Sequence, residues 1–384
     1  YKLVGAMSHI LNIPHIKKDR IIRGYGIMQP KVSISLEAKN KTYFSKIFAG
    51  NNSVDGYSVA YSDTYEDLFG EGTFVGKGII NIDEFYGRLK NTIKEDRILS
   101  HDLLEGALCR CALLSDIEFI DDYPSFYESS CKRLHRWVRG DWQLIGWIFS
   151  RKISVLNKWK IIDNLRRSLL APNLMVSLIL SLTIFNGNLQ ISLLCFLALV
   201  MSLVFTVADF VVTPKNKLMG TFKTLKQIFL IISFIPYQAF LMIDAIMITL
   251  IRMLITRKNL LEWKSSQFVE KNCSNTLKAY IKRMWISPVM AVVVVLLSLD
   301  NSFGIFAYTV VTACLWLVSP YIAYAVSCDI PEKKYVINYE QKTYLREISR
   351  RIYAYYEDFI NEENNFLPPD NYQVRPYKGV AHRT

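Results

Sequence analysis

Cysteines are few in this sequence, and none is spaced like the ligands of a structural metal site. There are seven, an odd number, and no CxxC pair. Cys109 and Cys111 lie two residues apart, with no second pair at zinc spacing. These spacings argue against a zinc fold or a disulfide framework and favour reduced, structural cysteines. No signal peptide is visible either. The chain begins at Tyr1 rather than Met, and we expect it to be a fragment of a longer protein.

The composition is more apolar and more basic than that of an ordinary soluble domain. Hydrophobic residues make up 51% of the 384 residues, and the mean hydropathy is positive. The net charge is +12, from 46 Lys and Arg against 34 Asp and Glu. In a soluble protein such a charge would suggest nucleic acid as a partner. Here the basic residues flank apolar segments, so membrane lipids with anionic headgroups are the simpler partner, and we expect no nucleic acid.

The first 150 residues have the pattern of a soluble α/β region. Val32, Ile34 and Leu36 alternate with polar residues, which predicts a strand. The run from Gly70 to Gly78, GEGTFVGKG, is rich in glycine but matches neither glycine fingerprint for phosphate binding. A backbone cradle for phosphate is one interpretation of this run. Tight turns that line a cleft are the interpretation we prefer, since glycine is the usual residue of strained turns.

The run from Arg133 to Gln143, RLHRWVRGDWQ, is the most informative part of the sequence. On a helix, Arg133, Arg136 and Trp137 share one face. Two guanidinium groups suit a diphosphate, because each can bind phosphate oxygens bidentately. An indole beside them suits the flat face of a sugar ring, and Gly140 continues the stripe with no side chain to block an approaching group. The alternative is an ordinary amphipathic helix whose basic side chains extend to solvent.

Asp102 lies in the segment SHDLLEG, at the predicted start of a helix on which Leu104, Leu108 and Cys111 recur at helical spacing. An aspartate at this place is often a helix N-cap, as we also predict for Asp83 in a shorter helix. Taken alone, Asp102 is better explained as a cap than by the alternative, a general base. The sequence leaves both interpretations of Asp102 open.

After residue 150 the chain becomes apolar. Residues 151–168 carry an apolar stripe surrounded by lysine and arginine, which predicts an amphipathic helix lying on an anionic membrane surface. We expect residues 169–327 to form a membrane region, since most of its apolar segments approach the length needed to cross a bilayer. Those segments are 169–187, 188–212, 225–251, 283–299 and 302–327.

The charges of the connecting loops predict which of these segments cross. Basic residues fill the loops on either side of 225–251, whereas the turns at 186–189 and 300–303 have none. If 225–251 crossed, two successive basic loops would lie on opposite sides of the membrane. Pro236 and Asp244 also lie inside that segment. We therefore predict four spans and an interfacial or re-entrant helical pair at 225–251, with both ends of the chain facing the cytoplasm.

Asp209 and Asp244 support one non-enzymatic alternative, a membrane transporter whose acids bind a solute or a proton. A position at the membrane boundary explains both residues more simply. Residues 328–384 are soluble in composition, and Tyr344, Ile348 and Ile352 predict a helix there. We interpret this part as a cytoplasmic tail that leads into a further domain.

These features together fit one reaction class, the attack of a sugar hydroxyl on a nucleotide-activated sugar at a membrane surface. A hydroxyl is a poor nucleophile at neutral pH, so a positioned carboxylate has to accept its proton, which is typically worth about 10²–10⁴ in rate. Arginines aimed at the leaving nucleoside diphosphate stabilise its developing charge. A divalent cation normally shares that work.

The same residues carry a resemblance to a known family. The run RLHRW resembles the (Q/R)xxRW motif of processive inverting glycosyltransferases with a GT-A fold, and SHD, which ends at Asp102, resembles their TED-type triplet. Longer stretches are similar to the glycosyltransferase region of cyclic β-1,2-glucan synthases, namely GYGIMQPKVSISL, LFGEGTFVGKGI, RILSHDLLEG, DDYPSFY and KWKIIDNLRRSL. The stretch YYEDFINEENNFLPPDNYQ resembles the start of the glucoamylase-like domain that follows the membrane region in that family.

The resemblance implies an α/β GT-A-like glycosyltransferase, of which residues 1–150 are the C-terminal half, fused to a multi-pass α-helical membrane region. It implies that Asp102 is the catalytic base, that Arg133 and Arg136 bind the diphosphate, and that Trp137 borders the acceptor sugar. The implied donor is UDP-glucose and the implied acceptor is a growing β-1,2-glucan, with a cytoplasmic active site at the inner membrane.

The resemblance also implies parts that this sequence lacks. The family's DxD motif, which binds Mg²⁺ or Mn²⁺, does not occur here, so no metal ligand is predicted within the chain. We expect that motif and the uridine-binding half of the fold upstream of Tyr1, and we expect the chain alone to be inactive. Residues 328–384 would then be a cytoplasmic tail and the truncated start of the glucoamylase-like domain. A cellulose-like or hyaluronan-like processive synthase is the nearest enzymatic alternative, and the few charges in the predicted spans favour a separate glucan exporter.

Overall fold

The computed structural model describes residues 1–17, 20–49, 58–59, 62–90, 92–93, 97–185, 218–331 and 337–381. The predicted span at 188–212, the turn at 186–189 and Asp209 lie outside these residues. The chain divides into two compact units, Tyr1–Ile330 and Pro331–Thr384.

A small mixed sheet forms the centre of the first 150 residues. Its middle strand, Ile27–Ile34, pairs in parallel with Cys111–Asp121 and antiparallel with Ile79–Ile80. The predicted strand through Leu36 is therefore correct only as far as Ile34. Ser35 caps a helix that begins at Leu36, because its hydroxyl accepts a hydrogen bond from the backbone of Ala38. Two short hairpins complete the strands described here, His15–Lys17 with Arg20–Arg23 and Ser58–Val59 with Ser62–Asp63.

The helices around this sheet include the two that carry the candidate site, Asp102–Cys109 and Tyr127–Gln143, which we call the Asp102 helix and the motif helix. The cap predicted at Asp83 is wrong by two residues. Asn81 caps the helix Ile82–Leu89, since its side chain accepts from the backbone of Glu84. The other helices described in this region are Lys2–Ser8, Leu36–Asn40, Tyr43–Phe48 and Thr64–Phe69.

The predicted amphipathic helix is present as Val155–Ser168, and we call it the amphipathic helix. Val155, Trp159 and Ile162 form an exposed apolar face on it. The opposite face is buried in the core of residues 1–150, but it is not wholly apolar. Lys160 is one of the lysines that we predicted to surround the apolar stripe at the membrane surface, and this part of the prediction is wrong because Lys160 is only 4% exposed.

A bundle of apolar helices follows the amphipathic helix. In the part of the chain that the structure covers, one helix, Phe222–Thr256, is long and apolar enough to cross a membrane, and there are up to four candidates if each of three bent pairs is one span. The first pair, Val155–Ser168 with Leu170–Thr183, bends by 48°. The second pair, Leu277–Arg283 with Ile286–Leu297, bends by 53°, and the third, Phe303–Leu317 with Ser319–Val326, bends by 48°. A short helix, Ser266–Lys271, lies between the helix Phe222–Thr256 and the second pair.

The segment 225–251 is one continuous helix, Leu218–Ile251, which we call the long helix, and the predicted break into a helical pair is wrong. Pro236 has no N–H to donate to the carbonyl of Ile232, one turn earlier. The indole N–H of Trp316 donates to that carbonyl instead, at 3.0 Å. The helix therefore continues through the proline without an unsatisfied carbonyl. The number of spans and the position of this helix relative to the bilayer stay predictions.

The second unit contains the predicted helix around Tyr344 and Ile352, which extends over Tyr339–Phe359. Asn338 caps it, and a hairpin of Asn371–Gln373 with Gly379–Ala381 follows. Tyr355 donates its hydroxyl to the carbonyl of Pro369 at 2.9 Å, which ties the helix to the proline-rich turn.

Candidate functional site

The four residues predicted to form the site line a single cleft. Asp102, Arg133, Arg136 and Trp137 all face a cavity of about 1230 Å³. We call the glycine-rich run Gly70–Gly78 the glycine-rich loop. It contributes residues 73–75 and Lys77 to the lining of the same cavity. One carboxylate and two guanidinium groups therefore face the same cavity.

Asp102 is the first residue of its helix, and it is not the N-cap. His101 occupies the cap position and makes no side-chain cap bond. The carboxylate instead faces the glycine-rich loop at Gly76, where φ is +83° and a Cβ atom would lie 2.7 Å from Asp102 Oδ1. Gly106 of the same helix packs as closely on Phe74, where a Cβ would lie 2.8 Å from the Phe74 Cβ. Glycine at both positions lets the loop approach the carboxylate.

Burial and two neighbouring side chains affect the pKa of Asp102. Burial raises the pKa of its carboxyl above the ordinary value, and electrostatic interactions with His101 and Arg136 oppose that rise. Glu105, one turn further along the helix, has its pKa raised to about 7 by burial and by the charge of Asp102. A carboxylate with a raised pKa is a stronger base, which suits proton abstraction near neutral pH.

Arg133 lies between two aromatic rings. The centre of its guanidinium is 4.8 Å from the Tyr123 ring and 4.7 Å from the Trp137 ring. These two cation–π contacts, together with a hydrogen bond to Tyr123, hold the guanidinium group beside the indole. Trp137 is 38% exposed, so part of the indole remains free to contact a ligand.

Arg136 is held by a segment that sequence analysis did not associate with the site. Its guanidinium stacks on the ring of Trp263 at 5.1 Å, and its Nη1 is 3.5 Å from the carbonyl oxygen of Lys264. Two later residues of the motif helix anchor the same segment. Arg139 donates to the carbonyl of Glu262 and Gln143 donates to the carbonyl of Leu260, each at 3.1 Å. We call this segment, residues 257–264, the Trp263 loop.

Gly140 brings the motif helix against the turn that precedes Asp102. A Cβ at Gly140 would lie 2.7 Å from the Cβ of Ser100, two residues before the carboxylate. Gln143 adds a direct bond between the same two segments, because its Oε1 accepts from the backbone N–H of Leu99 at 2.6 Å. The glycine that we predicted to leave room for an approaching group thus leaves room for the protein's own backbone.

The amphipathic helix holds the glycine-rich loop in place. Lys160 Nζ donates to the carbonyls of Gly72 at 2.8 Å and Glu71 at 3.3 Å. Asn157 Nδ2 donates to Glu71 Oε1 at 2.6 Å. These residues were missed because their partners lie more than 80 positions away in the sequence. The sequence did contain one indication of these contacts, namely a lysine and an asparagine on the side of the amphipathic helix that is buried.

Asp244, considered above as a possible solute-binding acid, has a partner on the motif helix. Its Oδ2 lies 3.0 Å from Nε2 of His135. The pKa of His135 is lowered by burial, which the charge of Asp244 opposes. The contact places this part of the long helix beside the motif helix and explains the acid without a transport pathway.

The divalent cation that the resemblance implies has no ligand set in the described segments of the chain. There, no three histidine, cysteine, aspartate or glutamate side chains come together in a way that could hold a metal ion. The cleft acids Asp102 and Asp121 do not form such a group, and Asp121 pairs with Lys77.

Comparison with known proteins agrees with the motifs. No protein-family model matches the sequence. The chain is 36% identical to the protein named cyclic beta-(1,2)-glucan synthase NdvB of Rhizobium meliloti (strain 1021), over an alignment of 408 residues. The alignment covers 100% of this chain and 14% of NdvB, so the chain corresponds to a small part of that protein's length. The predicted resemblance to cyclic β-1,2-glucan synthases is confirmed by this similarity.

Proposed function

We propose that this chain, which is similar over its whole length to part of a cyclic β-(1,2)-glucan synthase, belongs to a membrane-bound inverting glycosyltransferase. The reaction is transfer of glucose from UDP-glucose to a growing β-1,2-glucan. The observation that supports it best is that Asp102, Arg133, Arg136 and Trp137 line one cleft. Residues 1–150 are the C-terminal half of a GT-A-like domain in this proposal.

Asp102 is the base in the proposed reaction. The acceptor hydroxyl donates a hydrogen bond to the carboxylate and transfers its proton as the new glycosidic bond forms. Burial raises the pKa of Asp102 and so strengthens it as a base, while His101 and Arg136 oppose that rise. The close approach of Gly76 fixes one oxygen of the carboxylate against the loop and so restricts its direction.

The two arginines receive the leaving group. The UDP diphosphate gains charge as the bond to glucose breaks, and guanidinium groups already fixed in position stabilise that charge without further reorganisation. The ring stacking described for Arg133 and Arg136 supplies this fixation. Trp137 offers the exposed part of its indole to the apolar face of the acceptor sugar.

The membrane lies against the exposed apolar face of the amphipathic helix, Val155, Trp159 and Ile162. The long helix lies in the membrane interface rather than across it. Near its start, Gln227 donates to the carbonyl of Ile47 at 2.7 Å, and beyond its end the Trp263 loop contacts the motif helix. Contacts with residues 1–150 at both ends support a helix that stays on one side, with the active site in the cytoplasm and the glucan leaving through a separate exporter.

The test is Asp102→Asn in the complete protein, assayed in membranes for incorporation of labelled glucose from UDP-glucose. The rate of glucose incorporation should fall by a factor of about 10²–10⁴, because the amide cannot accept the proton. Asp83→Asn is the matched control, since Asp83 is an exposed acid in the first turn of another helix and should leave the rate unchanged. Undiminished incorporation by Asp102→Asn would exclude Asp102 as the base.

A further inference from the structure

A carboxylate and an amide lie one helical turn beyond Trp137, and no step of the reaction above uses them. Asp141 follows Trp137 by four residues on the motif helix, so both side chains lie on the same face. Asn164 comes from the amphipathic helix and donates from its Nδ2 to Asp141 Oδ1 at 3.0 Å. All three residues line the same cleft as Asp102.

Asp141 retains capacity for further hydrogen bonds. An ionised carboxylate offers about four acceptor positions. Within the described ranges, Asn164 is the only residue that forms a hydrogen bond to the Asp141 carboxylate. Burial raises the pKa of Asp141 to about 6, with Asn164 and the charge of Arg167 opposing the rise. A partly buried acid whose hydrogen-bonding capacity faces a cavity is suited to receive hydroxyl donors.

The charges around the pair favour a neutral ligand over a phosphate. The carboxylate of Asp141 repels an anion. The nearest cation, Arg167, is paired with Asp163 at 3.4 Å and also donates to Asn164 Oδ1. A ligand that meets a carboxylate, an amide and an indole in one row is best matched by a sugar, which presents hydroxyl groups at its edge and an apolar face to the ring.

The spacing matches successive sugars of one chain. Four residues of helix advance about 6 Å along the axis, so Asp141 lies roughly one sugar ring away from Trp137. Arg133 lies one turn before Trp137 and Asp141 one turn after it, so the proposed diphosphate-binding end of the cleft and Asp141 lie on opposite sides of Trp137 along the motif helix.

We propose that Asp141 and Asn164 form a subsite that binds the second sugar of the acceptor glucan, behind the sugar that contacts Trp137. This subsite rests on the proposed function, since it gives the acceptor chain of that reaction its direction in the cleft. A hydrogen bond from a sugar hydroxyl to Asp141 fixes the position of the acceptor relative to Asp102.

The test compares two reactions of the complete protein in membranes. Transfer to short β-1,2-linked glucose oligosaccharides needs the subsite, whereas hydrolysis of UDP-glucose by water does not. Asp141→Ala should raise the acceptor KM about tenfold, the usual loss for one hydrogen bond to a charged group, and leave the hydrolysis rate and the KM for UDP-glucose unchanged. Asn164→Ala should show the same acceptor-specific change. Asp116→Ala, at an exposed acid of the edge strand, is the control.

An unchanged acceptor KM in both variants would overturn the subsite. So would an equal loss of transfer and hydrolysis, which indicates that the pair only ties two helices together. If Asp141→Ala is poorly folded, Asp141→Asn keeps the shape and should still raise the acceptor KM. If the wild-type protein neither transfers nor hydrolyses UDP-glucose, the proposed function fails; oligosaccharide binding followed by tryptophan fluorescence, lost in Asp141→Ala, then tests the subsite separately.

Discussion

Replacing Gly140 by alanine tests whether the close approach of the motif helix to Ser100 sets the geometry of the site. The added Cβ would lie 2.7 Å from the Ser100 Cβ and 3.3 Å from the Ser100 backbone nitrogen, whereas ordinary contact begins at 3.4 Å. Neither neighbour is the far end of a flexible side chain. The helix and the turn before Asp102 must therefore separate by roughly 0.7 Å, the difference between the contact distance and the first of these values.

The displacement acts directly on the reacting groups. Arg136 lies one helical turn before Gly140, and Asp102 lies two residues after Ser100, so the change moves the base away from the arginine. A misplacement of about 1 Å can cost about 10²-fold in rate, and we expect a loss of about 10- to 100-fold. The effect on stability is smaller. Overpacking costs about 1–3 kcal/mol, and replacing a helical glycine returns about 0.5–1 kcal/mol.

The assay is the initial rate of glucose incorporation in membranes, divided by the amount of folded protein. Gly87→Ala is the matched control, because Gly87 lies in the helix Ile82–Leu89 and an added Cβ there meets nothing within 4 Å. It should raise the free energy of unfolding by about 0.5–1 kcal/mol and leave the rate unchanged. A full rate in Gly140→Ala, with normal folding, would refute the positioning role of this contact.

Three further changes test other parts of the site. Gly76→Ala should lower the transfer rate at least as much as Gly140→Ala, because φ is +83° and the new Cβ would lie 2.7 Å from Asp102 Oδ1; the same rate assay measures it. In Arg136→Gln the acidic limb of the pH–rate profile should move to higher pH, since Arg136 lowers the pKa of Asp102 and the ionised base is lost as pH falls through that pKa. For topology, a cysteine at Ser302 should react with an impermeant thiol reagent added outside intact cells and one at Lys258 should not; external labelling at Lys258 would mean that the long helix crosses.

The local part of the site could be predicted from the sequence. Helical spacing places Arg133 and Trp137 on one face, and the apolar repeat after Asp102 places this residue at a helix start. Both inferences use contacts within one helix, where the geometry follows from residue spacing alone. That the Asp102 helix and the motif helix lie close together could be inferred only because the proposed reaction needs the base near the arginines. The close packing of Gly140 on Ser100 is the physical cause of this proximity.

The long-range supports could not be predicted. Periodicity assigns Lys160 to the lipid headgroups, because nothing near it in sequence shows that the carbonyls of Glu71 and Gly72 lie within hydrogen-bonding distance. Pro236 likewise predicts a break in the long helix. The helix continues because Trp316, 80 residues later, supplies the donor that the proline removes. In both cases a tertiary partner outweighs a correct local preference.

The motif helix depends on the apolar helices as much as on the sheet. It packs on the long helix, where the rings of Tyr127 and Phe234 lie 4.3 Å apart and Val138 forms a hydrophobic cluster with Ala245. The long helix in turn packs through Ile235 against the bundle beyond it. Without these helices, residues 1–150 would expose an apolar face of the motif helix and lose the ring that holds Arg136. The position of Arg136 therefore depends on the apolar helices and on the Trp263 loop between them, and the proposed transfer requires these helices even though none of the reacting groups lies on them.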